Sequence, residues 1–203
     1  STGLSIRPGC CVIHVPATHR ASLQEHTESQ MSSNSNPNNS SKSPLSVTVS
    51  AAIAAPADVV YGLISDVTRM PEFSPENIRG EWLDGATGPT VGARFKGTNK
   101  LGSTTWSTKP TVTAAEPGRR FAFKVPGSSG ALWTYELASQ DGVTVVTESM
   151  VQQKASSPLI RWFQRRAGVT DRAANLRSAM TTTLERVAVA AQCQAVADCP
   201  IDV

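Results

Sequence analysis

The chemistry open to this chain is set first by where its usual catalytic side chains fall. All three histidines, His14, His19 and His26, lie in a polar N-terminal stretch. The globular part therefore has no histidine for a Ser-His-Asp triad or a His-ligated metal site. The four cysteines stand at positions 10, 11, 193 and 199, outside the expected core. Adjacent Cys10 and Cys11 would make a strained bridge, and zinc would require closer, paired spacing, so these read as reduced surface thiols. No Gly-x-Ser-x-Gly and no phosphate-cradling loop is present, and Gly85–Gly88 reads as a hairpin turn. What remains is Glu148, with Tyr135 and Asn99 as further polar points among aromatic residues. A carboxyl facing an apolar interior holds its proton more tightly and suits general acid–base work. The competing reading is structural, with Glu148 paired to an arginine or a backbone amide at a sheet edge.

Such side chains need elements to hold them. Leu45–Ile53 alternates apolar and polar residues and predicts a strand, broken by Ala54-Ala55-Pro56. Pro56 fits the first turn of a helix, and 57–66 places Val60, Leu63 and Ile64 on one face. Residues 67–77 read as a short second helix limited by Pro71 and Pro75. Six strand-like segments follow: Ile78–Asp84, Val91–Asn99, Thr104–Ala114, Arg120–Val125, Ala131–Ala138 and Val143–Met150. Their links are short, and short links join antiparallel neighbours, which predicts a meander. Ser157-Pro158 opens a helical segment carrying Leu159, Ile160, Trp162 and Phe163, interrupted at Gly168. Thr170-Asp171 can cap a long helix over 172–191, with a stripe of Leu176, Met180, Leu184, Val187 and Ala191. That stripe needs a partner, and the concave face of the sheet is the one on offer. A sheet curled around one helix meets it closely at one end only, leaving a gap suited to a ligand.

Of 203 residues, those at 1–44 are rich in Ser, Asn, Thr and Pro and read as disordered, because they cannot bury enough surface to offset their ordering entropy. Residues 45–191 form the expected domain, and 192–203 a flexible tail. Met31 opens the Ser/Asn tract and is a candidate initiator, which would leave residues 1–30 without function. The net charge of +3 is mild. Its densest group, Arg161, Arg165, Arg166 and Arg172, reads as a solvated helix face rather than a nucleic-acid or lipid patch. No apolar run approaches the ~18–20 residues of a membrane span, and Cys10–Val15 is too short for a signal-peptide core. The expectation is a cytoplasmic protein with no nucleic-acid partner, no stable membrane insertion and no cofactor or metal; the pattern specifies no oligomeric state.

Several stretches carry a family resemblance. They are Asp66–Glu76, Glu81–Pro89, Val91–Asn99, Ala115–Gly118 with Phe121-Ala-Phe123, Val146–Ser149 and Met180–Arg186. In these the chain resembles the SRPBCC/START-like superfamily, in its polyketide cyclase/dehydrase branch, over about residues 46–190. Phe73 departs from the pattern, where Trp is commoner. The resemblance implies an α+β helix-grip fold: a seven-stranded curved antiparallel sheet wrapped on a long C-terminal helix, with two short helices between strands 1 and 2. It is specific for the scaffold and weak for a reaction, since such scaffolds host many functions.

Strand alternation assigns the inner face. With Arg94, Lys96, Lys109, Lys124 and Glu136 turned to water, Phe95, Asn99, Trp106, Thr108, Phe121, Phe123, Trp133 and Tyr135 point inward, joined by Met180 and Leu184 from the helix. The last strand has two phases: Val143 with Val145 inward, or Thr144, Val146, Glu148 and Met150. The resemblance favours the second, because the position of Val145 is often charged in relatives. Aromatic residues alone are better explained by core filling; a mostly apolar lining with a few polar groups is also how ligand sites are built. The first expectation is a module binding an apolar or aromatic small molecule, lipid or polyketide-like. The second, which the resemblance suggests, is a cyclase or dehydratase using Glu148 as acid or base. A third, a protein with a filled interior, is disfavoured by the small residues Ala93, Gly97 and Thr108.

Overall fold

Strand β1, Ser46–Ile53, buries Val47 and Ile53, half-buries Val49 and Ala51 on the same face, and exposes Ser46, Thr48, Ser50 and Ala52, as its alternation predicts. In the computed structural model, residues 44–127, 130–154 and 171–197 are described. The readings made for 1–43, for the segment around Leu159–Phe163 with Arg161, Arg165 and Arg166, and for 198–203 lie outside them. Pro56 stands at the N-cap of α1, Ala57–Ser65, one residue before the first turn. Its fixed φ and missing N–H suit a chain entering a helix. Helix α1 buries Val60, Tyr61, Leu63 and Ile64. It ends at Asp66, whose carboxylate accepts bonds from the Thr68 N–H at 3.0 Å and the Thr68 hydroxyl at 2.6 Å. Helix α2, Met70–Phe73, is a single turn. Arg69 donates twice to Glu72, at 2.9 and 2.7 Å, while Phe73 is buried.

Among the described residues eight strands are observed where seven were expected. They are β1, then β2 Asn77–Trp82, β3 Phe95–Leu101, β4 Thr104–Thr108, β5 Thr111–Glu116, β6 Arg120–Val125, β7 Ala131–Gln140 and β8 Val143–Gln152. All pairs are antiparallel, in two sheets ordered β2-β3-β4 and β1-β8-β7-β6-β5. The extra strand arises at Lys109-Pro110, where proline removes a ladder donor and the expected strand 104–114 splits. Pairing continues around this corner. Phe95 N–H donates to the Pro110 carbonyl at 3.2 Å, Val112 N–H to Ala93 at 2.8 Å and Gly92 N–H to Val112 at 2.9 Å. The two sheets therefore behave as one curved surface bent at Pro110. Strand β3 begins at Phe95 rather than Val91, because Thr90–Gly92 is spent on a turn in which Gly92 takes φ +88. Strands β7 and β8 outrun their expected lengths and meet at Asp141-Gly142, where φ is +52 and +78, the left-handed pair that a tight hairpin requires.

Helix α3, Arg172–Ala197, continues past the expected end at Ala191. The Asp171 carboxylate accepts the Ala174 N–H at 3.0 Å, capping the first turn. Its buried face comprises Leu176, Met180, Thr183, Leu184, Val187 and Ala191. Two apolar clusters form along it. The larger joins Leu184, Val187 and Ala191 to Ile53, Ile64, Phe121 and Val146. The smaller joins Leu176 and Met180 to Val47 and Met150. The larger cluster closes one end of the sheet; the smaller leaves a hollow beside it. Among the described residues no helix is long and apolar enough to cross a membrane.

Candidate functional site

The hollow has a volume of about 660 Å³. Its wall is supplied by α2, by α3, and by strands of both sheets. Register explains why the aromatic residues meet there. In β6, β7 and β8, Phe121, Tyr135 and Glu148 stand in one cross-strand row, which Val49 of β1 completes. Phe123, Trp133 and Met150 form the next inward row. In the second sheet Asn99 faces Trp106 and Gly97 faces Thr108. The rings touch in a chain: Phe95 lies edge-on to Phe123 at 5.2 Å, Phe121 stacks with Tyr135 at 6.4 Å, and Phe123 stacks with Trp133 at 6.2 Å. Offset and edge-to-face contacts are the arrangements aromatic quadrupoles favour.

Of the side chains expected at the site, Phe95, Asn99, Trp106, Thr108, Phe121, Phe123, Trp133, Tyr135, Glu148 and Met180 all border this cavity. Leu184 does not. It is buried in the larger apolar cluster, one helical turn beyond Met180 and thus about 6 Å deeper along α3. The stripe periodicity places both on one face but carries no information on depth. Other lining groups come from Met70, Glu76, Asn77, Leu176, Ala179 and Thr183. Ala179 and Thr183 flank the stripe on the same helix face, so small residues beside bulky ones were the available signal.

Glu148 is the one carboxyl buried almost completely among the described residues, at 2% exposure. Strand β8 takes the phase in which Thr144, Val146, Glu148 and Met150 point inward, while Val143 and Val145 are exposed. The partner of Glu148 is neither arginine nor a backbone amide: the Tyr135 hydroxyl donates to its Oε1 at 2.8 Å. Its Oε2 is buried and has no partner among the described residues. Burial drives the Glu148 pKa up to about 8, and the bond from Tyr135, which favours the ionised form, offsets this only in part. Tyr135 is pushed well above its ordinary value, by burial first and then by the neighbouring carboxyl. Glu148 is accordingly protonated at neutral pH and presents a hydroxyl-bearing oxygen to an apolar space. The hairpin already specifies the pair, since counting equally back and on from Asp141-Gly142 lands on Tyr135 and Glu148.

Other polar groups in the wall are largely spoken for. Arg172 donates to both oxygens of Glu76, at 2.7 and 3.1 Å, and to Asn175 at 2.7 Å. The pair ties the start of α3 to the chain just before β2. Asn77 donates to Asn99 at 3.1 Å, leaving the Asn77 carbonyl oxygen buried and unpartnered. Among the described residues no group of three His, Cys, Asp or Glu is placed to hold a metal ion, and the free Cys193 is exposed. The arrangement can bind an apolar body, orient one polar group, and hold or release one proton at Glu148.

The sequence profile of the family described as polyketide cyclase / dehydrase and lipid transport matches residues 44–192. A polyketide-cyclase-like protein of Corynebacterium glutamicum is 34% identical, over 74% of this chain and 90% of that one, with a TM-score of 0.46. Major latex-like protein 151 of Panax ginseng is 15% identical over 73% of this chain and 97% of its own, with a TM-score of 0.55. A protein of Chromobacterium violaceum is 13% identical over 73% and 99%, with a TM-score of 0.56. The last two establish likeness of fold alone. No curated protein matches the chain. A profile spanning both sheets and most of the closing helix leaves one assignment: the chain belongs to the polyketide cyclase/dehydrase and lipid transport family.

Proposed function

We propose that this protein binds an apolar or aromatic small molecule, lipid or polyketide-like, in the cavity between the curved sheet and α3. The observation that carries the reading is the cavity itself: about 660 Å³, walled mainly by aromatic and aliphatic side chains with a minority of polar ones. Sites of about 300–1,000 Å³ with that lining are how drug-sized ligands are taken up. Each buried CH₂ of such a guest is worth about 0.8 kcal/mol, so affinity comes from removing apolar surface from water. The family description, which names both cyclase/dehydrase activity and lipid transport, supports the class of guest. To test it, purified protein is incubated with a cell extract, re-isolated, and its bound molecules identified by mass spectrometry. A stoichiometric apolar compound is expected; recovery of polar or no compounds from repeated extracts would refute the reading.

A second reading is favoured by one specific observation, the unpartnered Oε2 of Glu148 at the cavity wall. In a dehydration of a β-hydroxy ketone, the Glu148 carboxylic acid would give its proton to the departing hydroxyl. The carboxylate so formed would take the proton α to the carbonyl, so that one water leaves, one C=C bond forms and the acid is restored. Turnover of the captured compound, lost in Glu148→Gln, would identify an enzyme; retention without turnover would identify a carrier.

A further inference from the structure

The cavity's polar complement is lopsided, and this narrows what can fill it. Four ionisable residues border it among the described residues: Glu76, Arg172, Tyr135 and Glu148. Glu76 and Arg172 neutralise each other in a two-bond pair. Tyr135 spends its hydroxyl proton on Glu148 Oε1. Val49 of β1 pairs with Glu148, and α3 lines the same cavity with Arg172, Leu176, Ala179, Met180 and Thr183, of which only the Glu76-bound Arg172 is ionisable. Of these four, only Glu148 has an atom left over: its Oε2 is buried, borders the cavity and has no partner among the described residues, while the Asn77 carbonyl oxygen, likewise orphaned, can only accept.

Resting on the reading of the cavity as an apolar ligand site, we infer that the ligand carries an uncharged oxygen acceptor, a ketone or similar carbonyl on an aromatic or polycyclic skeleton, which accepts a hydrogen bond from the Glu148 carboxyl. A buried donor left unmade costs more than the bond gains when formed in water, so a guest that supplies the acceptor is selected over one that does not. An anionic guest finds no unpaired cation among the described residues of the wall. A cationic amine would demand that Glu148 ionise in an apolar enclosure, which its burial opposes. The flat stacked pair of Phe123 and Trp133, with planes 14° apart, sits in the row next to Tyr135 and Glu148 and offers the planar skeleton a surface to lie along.

The experiment uses three rigid probes of similar shape: fluorene, 9-fluorenone and 9-aminofluorene, titrated into the full chain by calorimetry between pH 6 and pH 9.5. Fluorenone is expected to bind about tenfold more tightly than fluorene at pH 6. That ratio should fall towards unity as Glu148 gives up its proton near pH 8. The infrared carbonyl stretch of bound fluorenone should lie below its position in an alkane. Glu148→Leu should remove the preference, whereas Glu148→Gln, which keeps an N–H donor, should retain it without its pH dependence. Equal binding of fluorene and fluorenone with an unshifted carbonyl band, as when a water satisfies Oε2, overturns the inference and leaves the apolar cavity standing. Tightest binding by 9-aminofluorene, strengthening above pH 8, also overturns it. Failure of both neutral probes to bind overturns it together with the reading it rests on. The infrared band is measured on the wild type, so a misfolded leucine variant does not blunt the test.

Discussion

Replacing Glu148 by glutamine should make the protein more stable at alkaline pH, by an amount the structure lets one work out. In the fold the Glu148 proton is held until about pH 8, whereas an unperturbed carboxyl releases it near 4.5. Between those values the folded state binds a proton that the unfolded state does not, so stability must fall as pH rises. Each pH unit in that window costs up to about 1.4 kcal/mol, or roughly 5 kcal/mol by pH 8, after which the loss levels off. Set against the 5–15 kcal/mol that typically stabilises a domain, this is a large fraction. Glutamine has nearly the same shape, can still accept the Tyr135 hydroxyl bond, and does not titrate. The difference between variant and wild type should therefore be small at pH 5, climb through pH 6 and 7, and reach several kcal/mol at pH 8–9. Urea unfolding followed by circular dichroism at constant ionic strength measures it. All three histidines lie at positions 14–26, and taking the difference between the two proteins removes their common contribution. A difference that stays flat across pH 5–9, or that grows as pH falls, would rule out a buried, protonated Glu148, since the latter is the behaviour of an ion-paired carboxylate.

Tyr135→Phe removes the bond that favours ionised Glu148, so the pH at which stability stops falling should move upward; the same unfolding series reads it. Thr108→Phe should fill part of the cavity, lowering fluorene affinity at least tenfold while changing thermal stability little, which calorimetry and melting curves report together. Leu184→Ala should do the reverse, costing about 2–5 kcal/mol as a core truncation while leaving the probe's site in place. Gly80→Ala should be severely destabilising, about 3 kcal/mol or more by chemical denaturation, because its Cβ would sit 1.7 Å from the Val67 carbonyl oxygen.

Much of this architecture was legible because charged residues punctuate the strands. Arg120, Lys124 and Glu136 must face water, so Phe121, Phe123, Trp133 and Tyr135 had to share the other face. Strand β8 offered no such marker near its start: Val143, Thr144, Val145 and Val146 suit either phase, and the choice came from the family resemblance. The division at Pro110 was visible as a residue but not as a corner, because strand-forming residues continue on both sides of it. Whether the chain stays in one sheet or passes to the next depends on pairing partners distant in sequence. Periodicity also assigned Met180 and Leu184 the same role, although one borders the hollow and the other closes its end. Glu148 was legible as a candidate, but its orphaned Oε2 depends on everything packed around it and emerges only in three dimensions.

The hollow between sheet and helix should accept a guest, and the chain's four methionines provide a direct probe of it. Met70, Met150 and Met180 border the cavity, while Met31 lies outside the described residues in the polar N-terminal stretch. With ¹³C-methyl-labelled methionine, titration with fluorene should shift the signals of Met70, Met150 and Met180 in parallel, saturating at one equivalent, while Met31 stays in place. Three unmoved cavity signals at saturating probe, or a shift confined to Met31, would contradict it.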